Sequence, residues 1–143
     1  MKPGLEIGQK REIRALVTAD MYAQFEGQLV HPVYSTVSMV YHMEWAARQI
    51  ILPYLEAHEE GVGAAVTVEH VAPTIAGMEV TAIATLTAFD RSKVVCEVEV
   101  INDAGMVAGR GTVIQHIVQK EKFYKKIEQL AQGRRENKNG KVD

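Results

Sequence analysis

Three side chains with the chemistry that acyl transfer requires lie in the first half of the chain: Thr36, Glu44 and His70. His70 follows Val66 and Val68 at two-residue spacing, so in a strand its ring shares their apolar face and points towards the core. Taken alone, a histidine in that position is more often a buried, hydrogen-bonded core residue than a catalytic one.

Glu44 lies close to the apolar stripe of a predicted helix. It should either reach solvent at the edge of that stripe or be buried with a partner, because an unpaired buried charge is costly. Thr36 alone would be only a helix cap. Together, a carboxylate and an imidazole can form an acid–base pair, and a helix N-terminus supplies N–H donors for an oxyanion. These are components of acyl transfer, but they do not identify a substrate.

The clearest element is a helix over residues 35–58, which would carry Thr36 and Glu44. Ser35 or Thr36 can cap its start, and Pro53 should kink or end it. Residues 59–63 are predicted to close the element. Its apolar residues recur at three- and four-residue spacing: Val40, Met43, Ala47, Ile50 and Ile51.

Around this helix the pattern changes to the two-residue alternation of strands. The predicted strands cover residues 7–18, 64–72, 78–89, 94–101 and 106–119. Residues 19–35 are predicted to be a loop with a helical turn near 21–25, and residues 120–132 a short helix. One apolar helix and one sheet must bury their apolar faces against each other. The sequence therefore predicts an α+β hotdog fold, in which an antiparallel sheet of about five strands curls around one long central helix.

The size and composition of the chain set further limits. At 143 residues we expect one domain over 1–133 and a disordered tail over 134–143. The net charge of −2 argues against nucleic-acid binding, and the chain has no apolar run long enough to span a membrane. A single cysteine, Cys96, excludes an internal disulfide, and the histidines lack metal-ligand spacing. We expect a cytoplasmic protein without a metal or cofactor. Because the sheet leaves an edge strand open, we also expect a homodimer.

Two segments resemble a known family. Residues 34–46 (YSTVSMVYHMEWA) resemble the helix of the fluoroacetyl-CoA thioesterase family, and residues 66–70 (VTVEH) resemble its catalytic-histidine strand at the same separation from the glutamate. The likeness extends over about residues 33–123. It implies a hotdog-fold enzyme that hydrolyses an acyl-CoA thioester. The family's catalytic threonine, glutamate and histidine fall on Thr36, Glu44 and His70.

The chain departs from the fluoroacetate-specific pattern in two places. Residues 26–32 are shorter than the family's phenylalanine-bearing lid, and Gln115 aligns with an arginine. Both differences lie where selectivity for a fluorinated acyl group would be set, which argues against fluoroacetyl-CoA as the substrate. Gly63 and Gln115 are the positions that we expect to contact the substrate.

The spacing of Thr36 and Glu44 raises a geometric problem. If the helix runs unbroken from Thr36, eight residues place Glu44 about 12 Å further along its axis, too far for the two side chains to touch. Either the helix begins a turn later, or the site is completed across a dimer. The alternative function is a hotdog module that binds acyl-CoA without hydrolysing it, and a hotdog hydratase is a weaker third possibility.

Overall fold

The computed structural model describes residues 1–140. Its main sheet has five antiparallel strands, with bounds β1 Lys10–Leu16, β4 Glu59–His70, β5 Glu79–Asp90, β6 Lys93–Asn102 and β7 Val107–Gln119. The strand order is β1-β5-β6-β7-β4. Two further strands, β2 Tyr22–Phe25 and β3 Gln28–Tyr34, form a separate hairpin. The predicted α+β fold, with a five-stranded antiparallel sheet and one central helix, is confirmed.

The central helix, α1, spans Thr36–Ile51 and is followed by a short 3-10 turn over Leu52–Tyr54. Ser35 caps it by accepting a hydrogen bond from the backbone N–H of Ser38 at 3.0 Å. The 3-10 turn contains Pro53, so the predicted end of the main helix is confirmed. Residues 55–58, predicted to continue the helical element, are not helical. The face of the helix that packs on the sheet is apolar except at His42. Its buried residues are Met39, His42, Met43, Ala46, Ala47, Ile50 and Ile51.

Two local predictions were wrong. Residues 59–63, predicted to close the helix, are the start of β4. Residues 22–34, predicted to be mainly loop, form the β2–β3 hairpin, whose turn residues Glu26 and Gly27 have φ angles of 52° and 75°. Two successive positive φ angles are characteristic of the tight turn that joins hairpin strands. Gly27 was the visible signal, but a glutamate beside it is an uncommon residue for this conformation.

The C-terminal helix, α2, spans Lys120–Gly140 and is longer than the predicted 120–132. The helix runs through residue 133, where the domain was predicted to end. The extent of the domain itself stays a prediction. Residues 141–143 of the predicted disordered tail lie outside the described residues. No helix within residues 1–140 is both long and apolar enough to cross a membrane.

Two glycines of β7, Gly109 and Gly111, let α1 and β4 approach this strand closely. A Cβ at Gly109 would overlap the sulfur of Met39. A Cβ at Gly111 would overlap the backbone carbonyl oxygen of Thr67 and lie 2.9 Å from Cε of Met43. The glycines are therefore required by packing and not by backbone conformation.

Gly111→Ala is expected to destabilise the fold, because the overlapping atom at Thr67 is backbone and can move only if β4 and β7 separate. The expected loss is about 1–3 kcal/mol or more in free energy of unfolding, measured by urea denaturation. Gly63→Ala in β4 is the matched control. A Cβ there would meet only the carboxylate oxygen of Glu44, at 3.2 Å, and that side chain can turn away. Equal stability of the two variants would contradict this explanation.

Candidate active site

The start of α1 lies against the end of β4, and this junction joins two of the predicted catalytic residues. Oγ1 of Thr36 lies 2.9 Å from Nδ1 of His70. Thr36 is the first residue of α1 and His70 is the last of β4. Because Ser35 caps the helix, the hydroxyl of Thr36 is available for the histidine. The prediction that the His70 ring faces the helix is confirmed.

The same helix start offers backbone donors. The N–H of Ser38 is bonded to the Ser35 hydroxyl, and the N–H of Met39 to the Ser35 carbonyl. Within residues 1–140, the N–H groups of Thr36 and Val37 have no hydrogen-bond acceptor. Unpaired N–H groups in the first turn of a helix favour a negatively charged oxygen. This end of α1 can therefore hold an oxyanion beside the threonine–histidine pair.

A cleft of about 340 Å³ opens at this end of the helix. One wall is the first turn of α1 with its cap, and the other is β2 with the segment before it. Its lining residues are Asp20, Tyr22, Ala23, Gln24, Phe25, Ser35, Thr36, Val37 and Ser38. A larger hollow of about 590 Å³ beside the end of α2 contains none of the predicted site residues. Of the predicted site residues, the cleft at the start of α1 is lined by Thr36.

Glu44 is exposed and lies elsewhere on the helix, two turns after Thr36. Its Oε1 is 3.2 Å from the position that a Cβ on Gly63 would occupy. The predicted catalytic residue Glu44 therefore lies beside the predicted substrate contact Gly63. Because α1 is unbroken from Thr36, the rise of the helix alone separates the two residues by about 12 Å. The possibility that the helix starts a turn later is excluded. Glu44 and Gly63 form a second cluster, apart from Thr36 and His70.

Gln115 is buried, and its Nε2 donates a hydrogen bond to the backbone carbonyl of Ala47 at 3.1 Å. The amide thereby holds α1 against β7. A contact between Gln115 and substrate stays a prediction. Cys96 is also buried, and burial raises the pKa of its thiol to about 11. The thiol is therefore protonated at neutral pH.

The sequence analysis missed a buried polar pair next to the site. The hydroxyl of Tyr34 lies 2.6 Å from Nδ1 of His42, and both side chains are almost fully buried. His42 had been considered only as a metal ligand. A usable signal was present, because His42 follows Met39 by three residues and therefore falls on the buried face of α1.

Comparison with known proteins identifies the family. Residues 17–121 match the profile of the family described as fluoroacetyl-CoA-specific thioesterase. The chain belongs to this family. It is 30% identical over 140 residues to the fluoroacetyl-CoA thioesterase of Streptantibioticus cattleyicolor, an alignment that covers 90% of this chain and 96% of the relative.

Solved structures support the same assignment. A thioesterase superfamily member from Thermus thermophilus matches with a TM-score of 0.88 and 37% identity, over 91% of this chain and 96% of that one. A threonine-to-serine variant of the fluoroacetyl-CoA thioesterase, in complex with acetyl-CoA, matches with a TM-score of 0.80 and 27% identity, over 87% and 97%. The protein is therefore a hotdog-fold thioester hydrolase, and the alternative of a non-catalytic binding module is set aside.

Proposed function

We propose that this enzyme hydrolyses an acyl-CoA thioester at the junction of α1 and β4, with Thr36 and His70 as the core of its active site. The observation that carries the proposal is the 2.9 Å contact between Oγ1 of Thr36 and Nδ1 of His70, at a helix start with unpaired N–H groups. The Streptantibioticus relative is named for a CoA thioester, and a related structure holds acetyl-CoA. Both support CoA as the thiol half of the substrate.

In the proposed mechanism, His70 is the general base. Its Nδ1–H donates to Thr36, which leaves Nε2 free to take a proton from a water molecule. The hydroxide equivalent attacks the thioester carbonyl carbon and forms a tetrahedral intermediate. The N–H groups of Thr36 and Val37 stabilise its oxyanion. The C–S bond then breaks, the carboxylic acid forms, and the departing thiolate takes the proton from His70.

We further propose that the working unit is a homodimer. The outer face of α1 exposes Val37, Tyr41 and Trp45, four residues apart, at 74%, 65% and 43% of their surfaces. Beside it, β4 pairs only with β7 among the strands of residues 1–140, which leaves its other edge open. An exposed apolar stripe beside an unpaired strand edge is a typical interface for a second copy. The predicted cytoplasmic location stays a prediction.

A dimer would also bring the two clusters together. If two copies of β4 pair in antiparallel fashion about a two-fold axis near Val66, Gly63 of one subunit lies close to His70 of the other. Glu44, which lies beside Gly63, would then face the partner's threonine–histidine pair and could orient the attacking water. This arrangement explains why an exposed glutamate lies about 12 Å from Thr36 within one subunit.

Purified protein is expected to release free thiol from at least one short or medium acyl-CoA. The measurement is a thiol-reagent assay against a panel of acyl-CoAs of increasing chain length, with fluoroacetyl-CoA included. We expect a non-fluorinated acyl group to be preferred. A folded, dimeric preparation that releases no thiol above background from the whole panel would contradict the proposed substrate class.

A further inference from the structure

Tyr34 lies between two histidines, only one of which belongs to the proposed active site. Its ring stacks on His42 with centroids 5.7 Å apart and an interplanar angle of 15°. The same ring meets His70 at an interplanar angle of 72°, with centroids 6.4 Å apart. This separation is within the range of edge-to-face aromatic pairs. The imidazole of His70 is therefore held by Thr36 through a hydrogen bond and by Tyr34 through ring packing.

The ring of Tyr34 is itself fixed. Its hydroxyl lies 2.6 Å from Nδ1 of His42, and the two side chains are 0% and 3% exposed. Burial raises the pKa of Tyr34 and lowers the pKa of His42. Both groups are then neutral at pH 7, so the phenol donates and Nδ1 accepts. A neutral hydrogen bond without competing water holds the phenol ring in one orientation.

The backbone of Tyr34 is tied to the chain that carries His70. Its N–H donates to the carbonyl of Thr74 at 2.8 Å, four residues after the histidine. The hydroxyl of Thr74 accepts a hydrogen bond from the buried amide of Asn102 at 3.1 Å. Tyr34 also lies two residues before Thr36. Tyr34 is therefore linked along the chain to Thr36 and, through Thr74, to the segment that follows His70.

We infer that Tyr34 is a positioning residue for His70 and that His42 holds Tyr34 in place. The inference rests on the proposed function, because it assigns His70 the role of base. Tyr34 does not touch the reacting atoms. Its ring packs against the imidazole of His70 and keeps Nδ1 directed at Thr36. Through Tyr34, the buried His42 of α1 thus sets the orientation of His70 on β4.

Removing the ring tests this role directly. Tyr34→Leu is expected to lower kcat by about 10–100-fold while KM changes by less than about threefold, because a small displacement of a catalytic group slows the chemical step more than binding. Tyr54→Leu is the control: it makes the same substitution at a partly buried tyrosine in the 3-10 turn after α1, at the other end of the helix from Thr36. It should leave kcat within about twofold of wild type. Melting temperatures are recorded for both variants.

The hydrogen bond between Tyr34 and His42 is tested by a single variant and a double variant. His42→Leu strands the buried hydroxyl of Tyr34 and should lower both the melting temperature and kcat. Adding Tyr34→Phe removes that hydroxyl and keeps the ring, so the double variant should regain both. A purely structural role of the pair would lower the melting temperature of His42→Leu and leave its kcat unchanged. That result, or a folded Tyr34→Leu variant with wild-type kcat, would overturn the inference.

A crystal structure of His42→Leu separates this inference from the proposed function. We expect the His70 ring to turn and the contact between its Nδ1 and Oγ1 of Thr36, 2.9 Å in the parent chain, to lengthen. This geometry can be measured even if the wild-type enzyme hydrolyses no acyl-CoA in the panel. An unchanged His70 ring in the variant would refute the positioning role regardless of the substrate.

Discussion

His70→Asn lowers the turnover of acyl-CoA by about 10²–10⁴-fold, the range for loss of a positioned acid–base group. Asparagine retains an amide that can still hydrogen-bond Thr36, so the local packing changes little. It lacks a nitrogen that can take a proton from water at neutral pH. The expected result is a large fall in kcat with a nearly unchanged melting temperature, measured by thiol release and by thermal denaturation.

His116→Asn is the matched control for this substitution. His116 is a half-buried strand histidine on β7, opposite Val62 in the sheet. The same chemical change there should leave turnover within about twofold of wild type, because surface-proximal substitutions away from a site have small effects. Wild-type turnover in His70→Asn would end the assignment of His70 as the base, whatever its effect on stability.

Two inactive variants should restore activity when they are mixed. His70→Asn keeps Glu44, and Glu44→Gln keeps His70. If each active site takes His70 from one subunit and Glu44 from its partner, a mixed dimer contains one site with both native residues. After subunit exchange the mixture should recover about a quarter of wild-type activity, since about half of the dimers are mixed and each has one intact site.

The competing arrangement predicts a different result. If His70 and Glu44 of the same subunit act together, every site in the mixed dimer lacks one of them and no activity returns. Light scattering of each variant supplies the control, because both must be dimers for the comparison to hold. A monomer at micromolar concentration would contradict the dimer proposal itself. Exchange is confirmed by mass spectrometry of a mixture in which one variant is isotopically labelled.

The sequence was sufficient to predict the elements that position the site. Apolar residues at three- and four-residue spacing predicted α1, and Pro53 predicted its end. Two-residue alternation placed His70 on the helix-facing side of β4, and the structure puts its ring against Thr36. These features depend on residues close together in the chain, where backbone geometry sets which side chains share a face. They could therefore be derived before any tertiary contact was known.

Features that depend on distant contacts were not predictable in the same way. The strand β4 precedes β5 in the chain but lies at the far edge of the sheet, beside β7. Local alternation cannot reveal this, because the pattern of a strand specifies its buried face and not its neighbour. The β2–β3 hairpin was missed because its turn depends on a positive φ at Glu26, which the residue type does not favour.

The same distinction between local and distant contacts applies to the site. Residue types, spacing and the family resemblance determined that Thr36, Glu44 and His70 were the candidates. The structure then decided that α1 begins at Thr36, which separates Thr36 from Glu44 within one subunit. Only the tertiary structure decided that Ser35, and not Thr36, caps the helix, which leaves the threonine hydroxyl for His70. It alone brought Tyr34 between His42 and His70. The physical reason is that caps compete among adjacent hydroxyls, and ring contacts join segments that are far apart in sequence.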